Sequence, residues 1–322
     1  MDHDGMQGGA GHDGHGTGLP PLTLLRALEL SPDPVFLSAC LLAAGLYGWG
    51  VLRLRLRGDA WPAGRTAAFA LGVLSIALVT CTALNDYGMV LFSAHMTQHM
   101  VISMLSPILL LLGAPVTLAL RALPTAGRGR TGPREMLTAF LHSGYVRAVT
   151  SPLFTIPVFI ASLYGLYFTS LFDFLMGSRP GHVAMMVHFL AVGLAFFWPI
   201  MGVDPGPHRP GHLMRMLELF ATMPFHAFFG IALMMATGPM VETYADPPAS
   251  LGTDAVADQT AAGGIAWAFS EIPSVIVLIA LVVQWYLSED RRARRLDRAA
   301  DRDGDRDLAA YNAYLASLES RP

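Results

Sequence analysis

Eleven residues, His95 to Leu105 (HMTQHMVISML), place two histidines and three methionines inside a long apolar run. His95 and His99 are four residues apart, so on a helix they share one face, one turn apart. That spacing suits two ligands to one metal ion. Met96 and Met100 repeat it alongside. Imidazole with thioether is a soft ligand set that favours copper, Cu(I) above all, over harder ions. Ionisable side chains within a membrane span are costly, and their presence is itself a pointer to function. The methionines carry less on their own, because methionine is an ordinary filler of apolar cores.

The elements that must hold these residues are membrane helices. The chain has 322 residues, of which 53% are hydrophobic and 14% charged, against about 25% charged in soluble domains. Runs of about 20 apolar residues span a bilayer, and seven such segments lie near 35–53, 66–84, 88–112, 152–172, 182–203, 213–238 and 264–287. The expected fold is therefore all-α, a polytopic membrane bundle of seven transmembrane helices. Pro107 and Pro115 predict a kink or stop in the third span near Gly113-Ala114-Pro115. Pro157 and Pro224 interrupt the fourth and sixth.

Every basic residue is arginine, and a net charge of −3 gives no reason to expect a nucleic-acid partner. Arg53, Arg55, Arg57 and Arg65 fall in the first loop, and Arg121, Arg128, Arg130, Arg134 and Arg147 in the third. The fifth holds Arg209, with Arg215 just beyond it, and eight arginines follow Leu287. The intervening loops hold Arg179 alone. By the positive-inside rule the N-terminus is expected outside and the C-terminus in the cytoplasm. Three parts follow: an extracytoplasmic His/Gly-rich tail (1–34), the transmembrane domain (35–287) and a charged cytoplasmic tail (288–322). No signal peptide is visible, and the first span is expected to remain as a membrane helix. Cys40 and Cys81 fall in different spans and make no disulfide framework.

Depth links the histidines. At 1.5 Å per residue, His95 and His99 lie roughly 10 and 16 Å below the outer edge, His188 about 9 Å and His226 about 18 Å. Histidines from three helices thus share the outer half of the bundle. Met185 lies three residues from His188, near it on the helix surface. Glu271, about 10 Å into the seventh span, could be a ligand, a partner that orients a histidine ring, or a proton carrier. In the tail, His3, Met6, His12 and His15 hang on a glycine-rich leader. With a free N-terminal amine, His3 in third place completes a square-planar Cu(II) site with two backbone amides.

Three patches also carry a family resemblance. They are HMTQHM with SPILLLLGAPVTLALR behind it, MMVHFLAVGLAFFWPIMGVDP in the fifth span, and MPFHAFFGIALM in the sixth. In this order the chain resembles the CtaG family of caa3-type cytochrome c oxidase assembly factors, over roughly residues 35–287. The resemblance implies copper supply to a haem-copper oxidase, with the oxidase catalytic subunit as partner and an extracytoplasmic copper donor. By motif it carries the ligand role to His95, His99, His188 and His226. The reading is a metallochaperone, not an enzyme. A copper importer is the first alternative, needing a ligand path through Met201, Met214, Met216, His208 and His212. A b-type haem carrier, with His99 and His188 as axial ligands, is the second.

Overall fold

The computed structural model describes residues 19–127, 130–208, 210–303 and 306–319. His3 and the rest of the N-terminal tail lie outside the described residues. The described chain is helical, and its one β-bridge joins Leu30 to Thr82.

Asp33 and Pro34 start α1 (Pro34–Leu56). The Asp33 carboxylate accepts the Val35 N–H at 2.8 Å and the Phe36 N–H at 3.4 Å, satisfying two donors that a helix start leaves open. Arg179 pairs with the same carboxylate at 2.9 Å. Burial raises the Asp33 pKa, but these N–H bonds and the guanidinium outweigh it and hold the carboxyl below its usual range. α2 is Ala63–Thr80. α3 (Phe92–Met100), a π-helical turn (Val101–Leu105), α4 (Ser106–Leu112) and α5 (Pro115–Ala122) run on as one broken rod.

Proline explains the π turn. Pro107 has no N–H and its ring crowds the carbonyl four residues back, that of Ser103, so the chain widens just ahead of it. The break expected at Gly113-Ala114-Pro115 is present: Ala114 has φ 51°, and the Tyr47 hydroxyl donates to the Gly113 carbonyl at 2.8 Å.

Next come α6 (Pro152–Tyr167), α7 (Leu171–Met176), α8 (Arg179–Met201), α9 (His212–Met235) and α10 (Ala255–Asp303). Among the described residues, six helices are long and apolar enough to cross a membrane: α1, α2, the α3–α5 rod, α8, α9 and α10. The fourth segment expected from the sequence is shorter. Its 16-residue α6 reaches about 24 Å, and α7 follows after a break at Phe168–Ser170. α10 has 49 residues and extends far past the apolar stretch into the arginine-rich segment, where Arg294 pairs with Asp290.

Apolar side chains cover the outside of the bundle as well as its core, and some polar ones lie within. Leu41, Leu42, Leu74, Phe220, Phe228, Ile276 and Ile279 face outward, while His95, Gln98, His99 and Ser103 are buried. Outward apolar belts on long apolar helices mark a membrane protein.

Small residues let the rods approach, as expected where lipid removes the hydrophobic drive between helices. Gly230 of α9 and Gly263 of α10 face one another, and a Cβ on either would stand 2.6 Å from the other's carbonyl oxygen. Gly193 of α8 lies against the π turn. A Cβ there would collide with the Ser103 carbonyl oxygen and stand 2.7 Å from Pro107 Cγ. Gly193→Val is therefore expected to cost about 1–3 kcal/mol and lower the thermal transition of the solubilised chain. Gly45→Val, with open space around it, leaves the transition in place; equal behaviour of the two variants would contradict this packing.

Candidate metal centre

The helix that carries His95 and His99 is anchored from outside itself. α3 has no acidic residue in its first turn. Asp258 of α10 supplies one, accepting the Phe92 N–H at 2.6 Å and the Ser93 N–H at 3.3 Å, and the Ser93 hydroxyl as well. A carboxylate at this position also matches the positive end of the helix dipole. One turn on, the Gln98 amide donates to the Val79 carbonyl at 2.6 Å and to Asn85 Oδ1 at 3.0 Å. The Tyr244 hydroxyl donates to the Gly88 carbonyl at 2.7 Å. These bonds fix both the depth and the rotation of α3.

So held, α3 turns His95 and His99 toward Tyr167, the last residue of α6. The Tyr167 hydroxyl lies 3.1 Å from His95 Nε2 and 3.2 Å from His99 Nδ1. Aromatic rings enclose the three. His99 meets Phe189 edge-on with centroids 3.9 Å apart, and His95 meets Phe172 at 5.0 Å. The hydroxyl has one proton, so it donates to one imidazole and accepts from the other. With both rings neutral, the imidazole that accepts from Tyr167 carries its proton on the far nitrogen. The one that donates presents a bare lone pair there. The cluster thus always offers one unprotonated ring nitrogen, the form that binds metal.

His99 also lines a cavity of about 10 Å³ with Ser103, Phe159, Ser162, Phe189 and His226. That is room for about one water or a small ion. His226 enters from α9, buried and 5.1 Å from the Phe159 ring. The Ser103 hydroxyl, carried into this wall by the π turn, has no hydrogen-bond partner.

His188 is placed differently. It is exposed on the outward face of α8, in an apolar groove with Met185, Leu171 and Leu175. Its Nε2 lies 2.8 Å from the Ser162 hydroxyl, which itself donates to the Val158 carbonyl at 2.6 Å. Ser162 therefore accepts from His188, and it lines both the groove and the inner cavity.

Met96, Met100 and Met185 are buried in the main core with Phe92, Phe189 and Phe229. Glu271 is half-buried on α10. Among the described residues, no group of three or more histidine, cysteine or carboxylate side chains is arranged to hold one ion. The histidines meet in pairs.

Two residues that the spacing argument did not single out belong to this cluster. Tyr167 gave no sequence signal, since its role depends on α6 stopping where it does. His182 gave a weak one. It and His188 are six residues apart on one helix, about 120° apart around it, so both cannot face the same site. The structure turns His182 inward, 6.2 Å from His95 between ring centroids.

The family described as cytochrome c oxidase caa3 assembly factor matches residues 45–288 of the chain. An uncharacterized protein of Mycobacterium bovis is 44% identical over 303 residues, covering 92% of this chain and 46% of the relative. An uncharacterized protein of Mycobacterium leprae is 45% identical over 275 residues, covering 84% and 42%. The chain thus spans less than half the length of these curated relatives. No solved structure matches it.

Removing the anchor of α3 should be felt at once. Asp258→Ala is expected to cost about 0.5–2 kcal/mol, as loss of a helix-capping group does. It should also speed amide hydrogen exchange at Phe92 and Ser93 relative to the rest of α3. Unchanged exchange at those two amides would contradict the anchoring role.

Proposed function

Because the chain belongs to the family of cytochrome c oxidase caa3 assembly factors, we propose that it supplies copper to a haem-copper oxidase from an intramembrane histidine site. The observation that carries this reading is the Tyr167 hydroxyl shared by His95 and His99. It leaves one imidazole of the pair with a bare nitrogen, and His99 of that pair lines a cavity that His226 completes from another helix.

The donor chemistry suits Cu(I). Every nitrogen donor in the cluster is neutral when it binds, so a single positive charge enters the membrane with no carboxylate to neutralise it. Imidazole and thioether need no thiolate-like deprotonation, so bond exchange with a partner is easy. His99 and His226 hold the ion, with His95 beside them. Met96, Met100 and Met185 are soft reserve donors in the surrounding core, and Glu271 stays outside the copper shell. His188, facing outward and sharing Ser162 with the cavity, is the exit ligand toward the oxidase catalytic subunit. The ion arrives from an extracytoplasmic donor at the outer face of the bacterial plasma membrane, with His3 in the tail available for Cu(II). A cavity of about 10 Å³ suits an ion and leaves no room for a haem between His99 and a partner.

The test is anaerobic loading of the detergent-purified full chain with Cu(I), followed by elemental analysis. The wild type should retain about one copper per chain in neutral buffer, and the His95→Ala/His99→Ala variant should lose it. Tyr167→Phe should weaken retention about 10- to 100-fold, the usual effect of losing a group that orients a metal-binding histidine. Copper retained in full by the double variant would overturn the assignment of the site.

A further inference from the structure

His182 adjoins the cluster but has no part in holding the ion at His99 and His226, and its setting has no explanation there. It enters from the first turn of α8 and is 4% exposed. Its Nε2 is buried without a hydrogen-bond partner. The same holds for Nδ1 of His95, whose other nitrogen is bonded to Tyr167. The two rings are neighbours, with centroids 6.2 Å apart and planes at 48°. Inside a membrane protein an unsatisfied polar atom is costly. Two of them on adjacent rings of different helices point to one shared ligand.

Distance and ligand number select its class. Two metal–imidazole bonds of about 2.0 Å each, plus the distance from nitrogen to ring centre on both sides, add up to about 6 Å between centroids. A divalent ion such as zinc takes four ligands, and no third histidine, cysteine or carboxylate joins this pair among the described residues. A monovalent d¹⁰ ion, Cu(I), is content with two neutral nitrogens in line.

We propose that His182 and His95 form a second, outer Cu(I) station, through which the ion passes on its way to His99 and His226. This rests on the copper reading above. The station lies near the bundle end where Arg179 pairs with Asp33, and His99 is one helical turn deeper. Transfer is ligand exchange alone. The bond to His182 Nε2 breaks as bonds to the inner imidazoles form, and copper remains Cu(I). The proton that His99 Nε2 gives up is matched by the one His95 Nδ1 takes when copper leaves it.

The experiment uses the full chain in detergent, without oxygen, competing for Cu(I) against a chromophoric chelator. His226→Ala weakens the inner station and should leave copper on the outer one. Adding His182→Ala should then lower the remaining affinity at least about 10-fold, a typical cost for a lost metal-site group. Should that double variant fail to fold, His226→Ala/His182→Met keeps a soft donor in place. X-ray absorption of its bound copper should show sulfur beside nitrogen. Unchanged affinity on adding His182→Ala, or no sulfur in the methionine variant, would overturn the outer station and leave a bridging water as the occupant. Absence of Cu(I) binding by the wild type would overturn the copper reading itself.

Discussion

Within a bilayer a polar atom cannot fall back on water, and this structure is organised by that constraint. Most of its buried polar groups are spent on holding helices in place. Asp258 takes the free amides of α3, and Gln98 ties α3 to the end of α2. Gln259 holds the Met240 N–H and the Leu233 and Gly238 carbonyls. Arg215 closes the far end of α8 by donating to the carbonyls of Ile200 and Met201. Asp204 caps α5 at Val116 and Thr117. Among the described residues a few buried polar atoms are left without a partner, and Nδ1 of His95, Nε2 of His182 and the Ser103 hydroxyl are among them. All three adjoin the histidine cluster.

The cluster depends on two irregularities in the helices. The π turn before Pro107 carries Ser103 into the cavity wall, and Gly193 lets α8 close against its carbonyl. π turns of this kind are frequent at functional sites. The short α6 ends on Tyr167, so its hydroxyl reaches across to both histidines of α3. A regular, longer helix there would carry the chain past the cluster.

Much of this was legible in the sequence, for a physical reason. Helical spacing alone sets His95 and His99 on one face, and Pro115 after a glycine sets the break at Ala114. The depth expected to be common to His99 and His226 is matched by the cavity they line together. The facing of α8 was not legible. That helix is apolar on every side, so no stripe marks its inner face, and His182 rather than His188 turns toward His95. Nor was the length of α6: the run 152–172 is uncharged throughout, and the break at Phe168–Ser170 carries no proline or glycine to announce it. Nothing local marks Tyr167 either, since its partners lie about 70 residues away in sequence.

The proposed role requires that the ion reach the oxidase. The most direct measurement mixes the Cu(I)-loaded full chain, in a lipid nanodisc and without oxygen, with copper-free oxidase catalytic subunit, and follows copper in each after separation. Copper should move from the wild-type chain to the oxidase, and a chain lacking His95 and His99 should deliver none. Copper that stays on the wild-type chain, or that reaches the oxidase equally well without those histidines, would contradict it.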